Sequence, residues 1–391
     1  MRAKVLVLCV FLLISAIGAG AATYKTIHSF TSFAPDDENP FPGVIFDQAG
    51  NLYGVAAWGE TNEGVIFQLT PSGSRWQFNR LHEFGMQDPD GAGPKGGLAM
   101  DEAGNLYGTA SYDHGDFQCG SVFEMSLSEG FSVLHQFAGP DGCDPESTLT
   151  YSNGTLYGTT RGGGAKGQGT VFSVDTFGNI ESTSFTGKTG SQPLSTLTTW
   201  GYGTAYSGGG SGQGIIYMLV SGKGLVRKHS FTLTGVAGYA PMGDLLTLNV
   251  GGVRTIYGTT SKGGVGGGGT AYRLTEIQPN SDLWRVSVLH SFSSTTGSDQ
   301  GWAPMTGLTA DAAGNLYGTT SSGGLGCGTV YKLSPAKNNK WTHTLLYSFD
   351  PSHSEGCQPT GGVVFDKAGN LFGTTQWGGN YSYGTVYEII P

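Results

Sequence analysis

The chain has few charged side chains, because Asp, Glu, Lys and Arg together make up only 13% of its 391 residues, about half of the usual share. Basic residues are the scarcer kind, with 20 Lys and Arg against 29 Asp and Glu. A protein that binds nucleic acid or an anionic membrane surface presents clustered basic side chains. The composition therefore argues against nucleic acid as a partner.

Long apolar runs are also missing, except at the N terminus, so the sequence predicts no membrane span. At the N terminus, Arg2 and Lys4 precede an apolar run at residues 5–17, and residues 19–21 are small. This order is typical of a secretory signal peptide, and the apolar run is too short to cross a bilayer. We predict a cleaved signal peptide at residues 1–22 and a secreted or periplasmic protein.

No segment after the signal shows a sustained helical period, which predicts an all-β chain. Glycine is instead abundant, at 68 of the 391 residues, more than twice the average share of about 7%. Such an excess alone would suit a low-complexity chain, but an aromatic share of 12% is too high for a disordered polar tract. The glycines are therefore expected to mark the tight turns of a folded protein.

An aromatic-glycine phrase recurs seven times, at steps of 54, 50, 45, 55, 60 and 55 residues. This spacing suits one four-stranded blade of a β-propeller, whose repeats span about 40 to 50 residues. Each period also tends to hold a proline, a tight turn, a glycine-rich loop and a strand rich in β-branched and aromatic residues. The seven copies are Leu52-Tyr53-Gly54, Leu106-Tyr107-Gly108, Leu156-Tyr157-Gly158, Gly201-Tyr202-Gly203, Ile256-Tyr257-Gly258, Leu316-Tyr317-Gly318 and Leu371-Phe372-Gly373.

The two ends of the chain complete each other. Residues 24–30 look like a fourth strand without the first three, and residues 384–390 like a third strand without a fourth. Their pairing would close the ring and remove open sheet edges. We predict a seven-bladed β-propeller of four-stranded antiparallel blades, closed by the N-terminal strand. The expected single domain covers residues 23–391, with blades at about 40–84, 94–137, 145–185, 193–231, 241–292, 304–349 and 359–391 plus 24–30.

The repeat unit reads P…D-x-x-G-N-L-Y-G-T-T-x-x-G-G-x-x-x-x-G-T-V-(F/Y). Good copies lie at Asp101–Met125, Asp311–Leu333 and Asp366–Ile389, and the copy at Thr196–Leu219 is degenerate because it lacks the Asp and the Leu. This unit resembles the bacterial GloVer (Gloeobacter/Verrucomicrobia) repeat, which occurs in tandem in exported proteins. The resemblance implies an exported repeat protein with a propeller-like fold, and it brings no catalytic residue with it.

Four cysteines remain once Cys9 is removed with the signal, and an even number in an exported protein predicts disulfides. Cys119 lies in the loop between the second and third strands of blade 2, and Cys143 lies in the connection to blade 3. Cys327 and Cys357 occupy the same two positions at blades 6 and 7. Both loop types emerge side by side on one face of a propeller. We therefore predict the pairs Cys119–Cys143 and Cys327–Cys357.

Histidines recur on the predicted outer strands, where their copies cannot converge on one ion, so we expect structural roles. They are His28, His82, His135, His229 and His290. Acidic residues instead gather in the loops of blades 1 to 3. These acids form either a solvated surface that keeps the protein soluble or a calcium site, for which Asp113 and Asp116 are the candidates. No other cofactor is expected.

Aromatic residues are expected in the loops of one face, beside polar residues. They are Trp58, Tyr112, Trp302, Trp377, Tyr381 and Tyr383. Such rings either pack over neighbouring loops or stack on sugar rings or a protein partner. Trp58 and Trp377 hold equivalent positions in blades 1 and 7 and are expected to be neighbours in the closed ring.

Two functions stay open at this point. The predicted innermost strands hold no acid, base or nucleophile to line a catalytic channel. This absence favours a secreted, monomeric, non-enzymatic module that binds a glycan or a protein on one loop face. The alternative is an exported hydrolase or lyase acting on polysaccharide, which would need carboxylates that converge near the axis.

Processing of the N terminus can be tested on the exported protein. We expect the mature chain to begin at Ala22 or Thr23, because signal peptides are cleaved after small residues. N-terminal sequencing and intact mass of the exported protein measure the start. A mature chain that still begins at Met1 would contradict the prediction.

Overall fold

The computed structural model describes residues 22–31, 39–58, 63–85, 90–112, 119–277, 284–295, 300–352 and 354–391. These residues form β-strands and connecting loops, with one turn of 3₁₀ helix at Lys337–Asn339. Within these ranges no helix is long and apolar enough to cross a membrane. The predicted signal peptide lies outside the described residues, apart from Ala22.

Seven four-stranded antiparallel sheets form the blades of a propeller, as the sequence predicts. The first strand in the chain is β1 (Thr23–Ser29), which belongs to the last blade. Blade 1 contains β2 (Ile45–Phe46), β3 (Leu52–Ala56), β4 (Val65–Ser72) and β5 (Arg75–Glu83); blade 2 contains β6 (Ala99–Met100), β7 (Leu106–Ala110), β8 (Ser121–Ser126) and β9 (Gly130–Gln136); blade 3 contains β10 (Thr150–Ser152), β11 (Thr155–Thr160), β12 (Thr170–Asp175) and β13 (Ile180–Ser184).

The remaining blades follow in chain order. Blade 4 contains β14 (Ser191–Pro193), β15 (Tyr202–Ser207), β16 (Ile215–Val220) and β17 (Gly224–Ser230); blade 5 contains β18 (Leu246–Val250), β19 (Val253–Thr260), β20 (Gly267–Glu276) and β21 (Trp284–Ser293); blade 6 contains β22 (Thr309–Ala310), β23 (Leu316–Thr320), β24 (Thr329–Pro335) and β25 (Trp341–Ser348). Blade 7 contains β27 (Val364–Phe365), β28 (Leu371–Thr375) and β30 (Thr385–Ile390), beside a separate pair of β26 (Gly356–Cys357) and β29 (Trp377–Gly378).

The ring closes through β1, which pairs antiparallel with β30 as the fourth strand of blade 7. Thr23 lies opposite Ile390, and Thr26 lies opposite Tyr387. Tyr24 also stacks on Tyr347 of blade 6, with 4.5 Å between the ring centroids. The predicted closure by the N-terminal strand is therefore confirmed.

The turn between the first and second strands is built by the Asp and Asn of the repeat. In blade 2, the backbone N–H and the side-chain amide of Asn105 donate to the two carboxylate oxygens of Asp101, at 2.8 and 3.0 Å. The Tyr107 hydroxyl donates to the same carboxylate at 3.2 Å. Gly104 takes a φ of +90°, which the turn requires and which glycine adopts without strain. This network explains why the D-x-x-G-N-L-Y order recurs.

The second strand of each blade carries a glycine, because an aromatic ring from the third strand of the same blade lies against it. A Cβ atom on Gly54 would stand 2.5 Å from the Phe67 ring, which is far inside van der Waals contact. The same conflict arises in the other six blades, between Gly108 and Phe123, Gly158 and Phe172, Gly203 and Tyr217, Gly258 and Tyr272, Gly318 and Tyr331, and Gly373 and Tyr387. The glycine of the repeat is thus set by packing.

A buried phenylalanine from the preceding blade meets each of these rings. Phe30 meets the Phe67 ring edge to face, with 5.3 Å between the centroids. We call the boundary between two neighbouring blades a seam. The other six seams repeat the contact, with 5.0 to 5.4 Å between the ring centroids. The phenylalanines are Phe30, Phe84, Phe137, Phe185, Phe231, Phe292 and Phe349, all nearly fully buried. Each such pair adds about 0.5–1.5 kcal/mol beyond the area that it buries.

A threonine in the second strand joins neighbouring blades by a hydrogen bond. The Thr259 hydroxyl donates to the carbonyl of Thr306 in the next blade at 2.8 Å, and the Thr374 hydroxyl donates to that of Pro42 at 2.8 Å. The same bond is made by Thr109, Thr159 and Thr319. In these five blades, the Thr that follows the repeated aromatic-glycine motif therefore links its blade to the next one.

Both predicted disulfides are present. One joins Cys119 to Cys143, and the other joins Cys327 to Cys357. Each ties a loop of one blade to the connection that leads into the next, which reduces the freedom of the unfolded chain. Disulfides persist in oxidising compartments, so they fit an exported protein.

Blade 4 departs from the predicted strand positions. The sequence places its innermost strand at Leu197 and Thr199, but the strand that pairs with β15 is β14. The chain turns directly after Thr198, whose carbonyl accepts a hydrogen bond from the Gly201 N–H at 2.7 Å. The Asp and Asn that form this turn in blades 1, 2, 6 and 7 are missing here. The predicted strand is therefore cut short.

A single substitution tests the packing at the blade seams. Gly54→Ala should lower the free energy of unfolding by about 1–3 kcal/mol, because the added methyl group overpacks the Phe67 ring. Gly210→Ala is the matched control, since no atom lies within 4 Å of its added Cβ, and it should change stability by at most about 0.5 kcal/mol. Urea unfolding measures both. Equal stability of the two variants would contradict the seam contact.

Candidate functional site

The propeller axis holds a channel that every blade lines. Its volume is about 350 Å³. The lining comes from the short segments between each blade's proline and its innermost strand, and most of it is apolar or glycine. Three charged side chains interrupt this lining, namely those of Lys95, Glu146 and Asp244. Charged groups therefore line the channel, from positions just outside the predicted innermost strands.

Sequence reasoning missed these residues because it searched only the innermost strands. Lys95 and Glu146 directly follow Pro94 and Pro145, and Asp244 directly precedes the core residue Leu245. At the corresponding places most other blades have glycine, threonine or apolar residues. The signal available in the sequence was a charged residue within three positions of the blade proline.

Lys95 connects the channel with two exposed rings of the loop face, which we define as the face with the loops between second and third strands. Its ammonium donates hydrogen bonds to the Tyr112 hydroxyl at 2.7 Å and to a Glu146 carboxylate oxygen at 3.0 Å. It also lies 4.6 Å from the Tyr112 ring centroid and 5.6 Å from that of Trp58. Burial alone would lower the pKa of Lys95, but the hydrogen bond to Tyr112 and the charge of Glu146 raise it. Lys95 is therefore held protonated between the rings.

Glu146 extends this cluster toward blade 3. Its carboxylate lies 3.7 Å from the Arg161 guanidinium and accepts the hydrogen bond from Lys95. Asp144 lies nearby, and its pKa is raised by burial and by the charge of Glu146. Two cations and two carboxyl groups thus lie together on the loop face, between blades 2 and 3.

Asp244 lies inside the channel, on the side of blade 5. Its carboxylate accepts a hydrogen bond from the Thr196 backbone N–H at 2.6 Å. Burial raises the pKa of Asp244, while this hydrogen bond opposes the shift. The Thr196 hydroxyl in turn donates to the Thr148 carbonyl at 3.0 Å. These bonds fix the channel wall across blades 3, 4 and 5.

The predicted aromatic residues are only partly brought together. Trp58 and Tyr112 are 43% and 37% exposed, and their ring centroids lie 6.0 Å apart. Trp377 is exposed and pairs through its backbone with Cys357, beside the second disulfide. Among the described contacts, no ring contact joins it to Trp58. The ring in contact with Trp58 is that of Tyr112.

The other three predicted aromatics lie apart from this pair. Trp302 is exposed and forms a backbone bridge with Ser322. Tyr381 is the most exposed of the set, whereas Tyr383 is partly buried and packs against the core between blades 7 and 1. The cluster at the channel is thus Trp58, Tyr112, Lys95, Glu146 and Arg161, which we call the rim cluster.

The calcium candidates Asp113 and Asp116 lie outside the described residues, so the site stays a prediction. In the part of the chain that the structure describes, no three His, Cys, Asp or Glu side chains converge as metal ligands. The recurrent histidines lie on the outer strands. His82, for example, stacks on Phe131 of blade 2 at 3.7 Å between centroids, and burial lowers its pKa to about 4.

Comparison with protein families gives one match that covers nearly the whole chain. The model of the Gloeobacter/Verrucomicrobia repeat matches residues 13–201 and again residues 200–391. No curated protein matches the chain in sequence.

Solved structures share the architecture. The extracellular domain of a hybrid two-component system from B. thetaiotaomicron covers 93% of this chain at 11% identity with a TM-score of 0.54, and this chain spans only 39% of that one. A Bacteroides fragilis protein assigned as a 6-phosphogluconolactonase aligns over 86% of this chain and 89% of its own, at 16% identity and a TM-score of 0.50. An α-L-arabinanase from Penicillium chrysogenum covers 94% and 97%, at 11% identity and 0.49. At these identities the likeness shows the fold alone.

Proposed function

This chain belongs to the Gloeobacter/Verrucomicrobia repeat family, and from that premise we propose that it is an exported, non-enzymatic propeller that binds a glycan at the rim cluster. The observation that carries the proposal is the Lys95 ammonium, held between the exposed rings of Trp58 and Tyr112 at the end of the axial channel. Rings and a fixed polar group side by side are what a sugar requires, because it offers apolar ring faces and hydroxyl groups together.

The rim cluster supplies both kinds of contact without rearrangement. The two rings are tilted by 44° to each other, so a sugar ring that stacks on one of them touches the edge of the other. Glu146 and Arg161 lie beside Lys95 and can accept or donate hydrogen bonds to hydroxyl groups. Because Lys95 is already held in place, binding would cost little ordering of this long side chain.

A second candidate function is suggested by two carboxyl groups in the same channel. Glu146 and Asp244 both line it, and burial raises the pKa of Asp244. A carboxyl group whose pKa is raised by burial can serve as a general acid in the cleavage of a glycosidic bond. The alternative is therefore an exported hydrolase or lyase acting on polysaccharide.

A glycan array with the folded protein tests the binding proposal. We expect at least one glycan class to bind, and Trp58→Ala and Tyr112→Ala each to weaken it about tenfold, which corresponds to about 1.4 kcal/mol. Phe177→Ala is the matched control, because the Phe177 ring is 89% exposed and lies in a hairpin turn of blade 3. This variant should bind like the parent.

Three outcomes separate the alternatives. Release of reducing ends from a bound polysaccharide, abolished in Glu146→Gln and Asp244→Asn, would establish the enzyme in place of the binding module. Capture of a protein partner that Trp58→Ala loses, without any glycan signal, would replace the glycan by a protein. Equal binding by the parent and Trp58→Ala would show that the rim cluster is not the binding site.

A further inference from the structure

A second cleft opens at the seam between blades 3 and 4, on the face opposite the rim cluster. We call that side the turn face, because it carries the hairpin turns of each blade. The cleft has a volume of about 560 Å³, which is within the range of small-molecule sites. Its walls include Tyr157 of blade 3 and, from blade 4, Trp200, Ser221, Gly222 and Gly224.

At the position that corresponds to this cleft, most other seams are filled by an aromatic ring from the innermost or the outer strand. Innermost-strand rings pack on the second-strand ring of the preceding blade, as Phe46 does on Phe372 at 5.1 Å and Tyr151 does on Tyr107 at 5.6 Å. Blade 4 has Thr199 at the corresponding place in its repeat. The ring that would cover Tyr157 from the innermost strand is therefore absent.

The outer strands also supply aromatic rings that fill the seams. Tryptophans at the start of the fourth strand cover the second-strand ring of the preceding blade in three seams, with centroid distances of 5.7 to 6.2 Å. They are Trp76, Trp284 and Trp341, and each pairs with the residue two positions after the third-strand Leu. The same register in blade 4 leads to Ser221 and Lys223 in the hairpin turn. A lysine thus stands where these blades have tryptophan.

A third position, which holds aromatic rings at other seams, holds none at the seam between blades 3 and 4. At other seams a ring of the outer strand stacks on the histidine or tyrosine of the preceding blade, as Phe131 does on His82 at 3.7 Å. The corresponding residues at the seam of blades 3 and 4 are Leu225 and Thr183. All three places that hold rings elsewhere are therefore occupied by smaller or flexible side chains, and the cleft is their joint result.

Tyr157 is left open to this cleft in a way that its counterparts are not. In blades 1, 2 and 6 the tyrosine hydroxyl donates to the Asp of the adjacent turn. Blade 3 makes that turn with Asn153 and Gly154, both at positive φ, and has no Asp. Within the described residues no hydrogen bond engages the Tyr157 hydroxyl. Tyr157 lines the cleft.

The lining identifies the chemical class of the ligand. Seven Ser and Thr hydroxyl side chains besides Tyr157 line the cleft, and Glu181 is the only charged residue among those that line it. Among these lining residues an anionic ligand would meet the Glu181 carboxylate and no cation, with Lys223 only in the turn beside them. A lipid would leave the hydroxyls unpaired. We propose that this cleft binds a short neutral saccharide, with one sugar ring stacked on Tyr157 and its hydroxyls bonded to the Ser, Thr and Glu181 side chains.

A substitution that places a tryptophan in the cleft, as tryptophans fill other seams, tests this site. The probes are cellobiose, maltose and chitobiose, with choline as a cationic probe, observed by saturation-transfer difference NMR on the full mature protein. We expect at least one disaccharide to bind and Lys223→Trp to weaken it by at least about tenfold, because the indole would cover Tyr157. Tyr157→Ala removes the platform itself and should have the same effect.

Two control variants keep this site separate from the rim cluster. Lys337→Trp places the same substitution in the corresponding hairpin of blade 6, where Trp341 already fills the seam, and it should bind like the parent. Trp58→Ala should also leave cleft binding unchanged. The inference is overturned if no disaccharide binds, if only choline binds, or if Lys223→Trp and Tyr157→Ala bind like the parent. Loss in Trp58→Ala alone would assign the saccharide to the rim cluster and remove it from the cleft.

Discussion

One contact holds the seven blades together. A third-strand ring lies on the glycine of the second strand, and a phenylalanine from the preceding blade meets that ring. The parts depend on one another, because a side chain in place of the glycine would displace the ring, and loss of the ring would leave a cavity at the seam. Since the contact recurs at every seam, these positions are not free to serve a ligand. Differences between blades are confined to the residues around them.

Those differences lie at two places on opposite faces. On the loop face, Lys95 and Glu146 interrupt the small and apolar residues around the axis, and Lys95 lies against Trp58 and Tyr112. On the turn face, blade 4 lacks the aromatic rings that fill other seams, and Tyr157 lines the resulting cleft. In both places an aromatic ring lies beside polar groups. This combination is the physical basis for proposing saccharide ligands.

The fold could be predicted from the sequence because its rules are local and repeated seven times. The turn at Asp101 and the pairing of Cys119 with Cys143 both follow from position within the repeat. The sites could not be predicted in the same way, since they arise between blades. The contact of Lys95 with Trp58 joins two repeats, and the cleft at Tyr157 results from what blade 4 lacks. The strand register of blade 4 was missed for a related reason, because its turn is shorter than the repeat predicts.

Hydrogen–deuterium exchange, followed strand by strand on the mature protein, tests the central claim that rings across each seam determine how firmly neighbouring blades hold together. β11 and β15 flank the seam that lacks a ring from the innermost strand and a tryptophan from the outer strand. We predict that their amides exchange faster than those of β3 and β28, which flank the seam filled by Phe46 and Trp76. Local opening should be easier where fewer apolar contacts must be broken. Equal protection at the two seams would contradict the account.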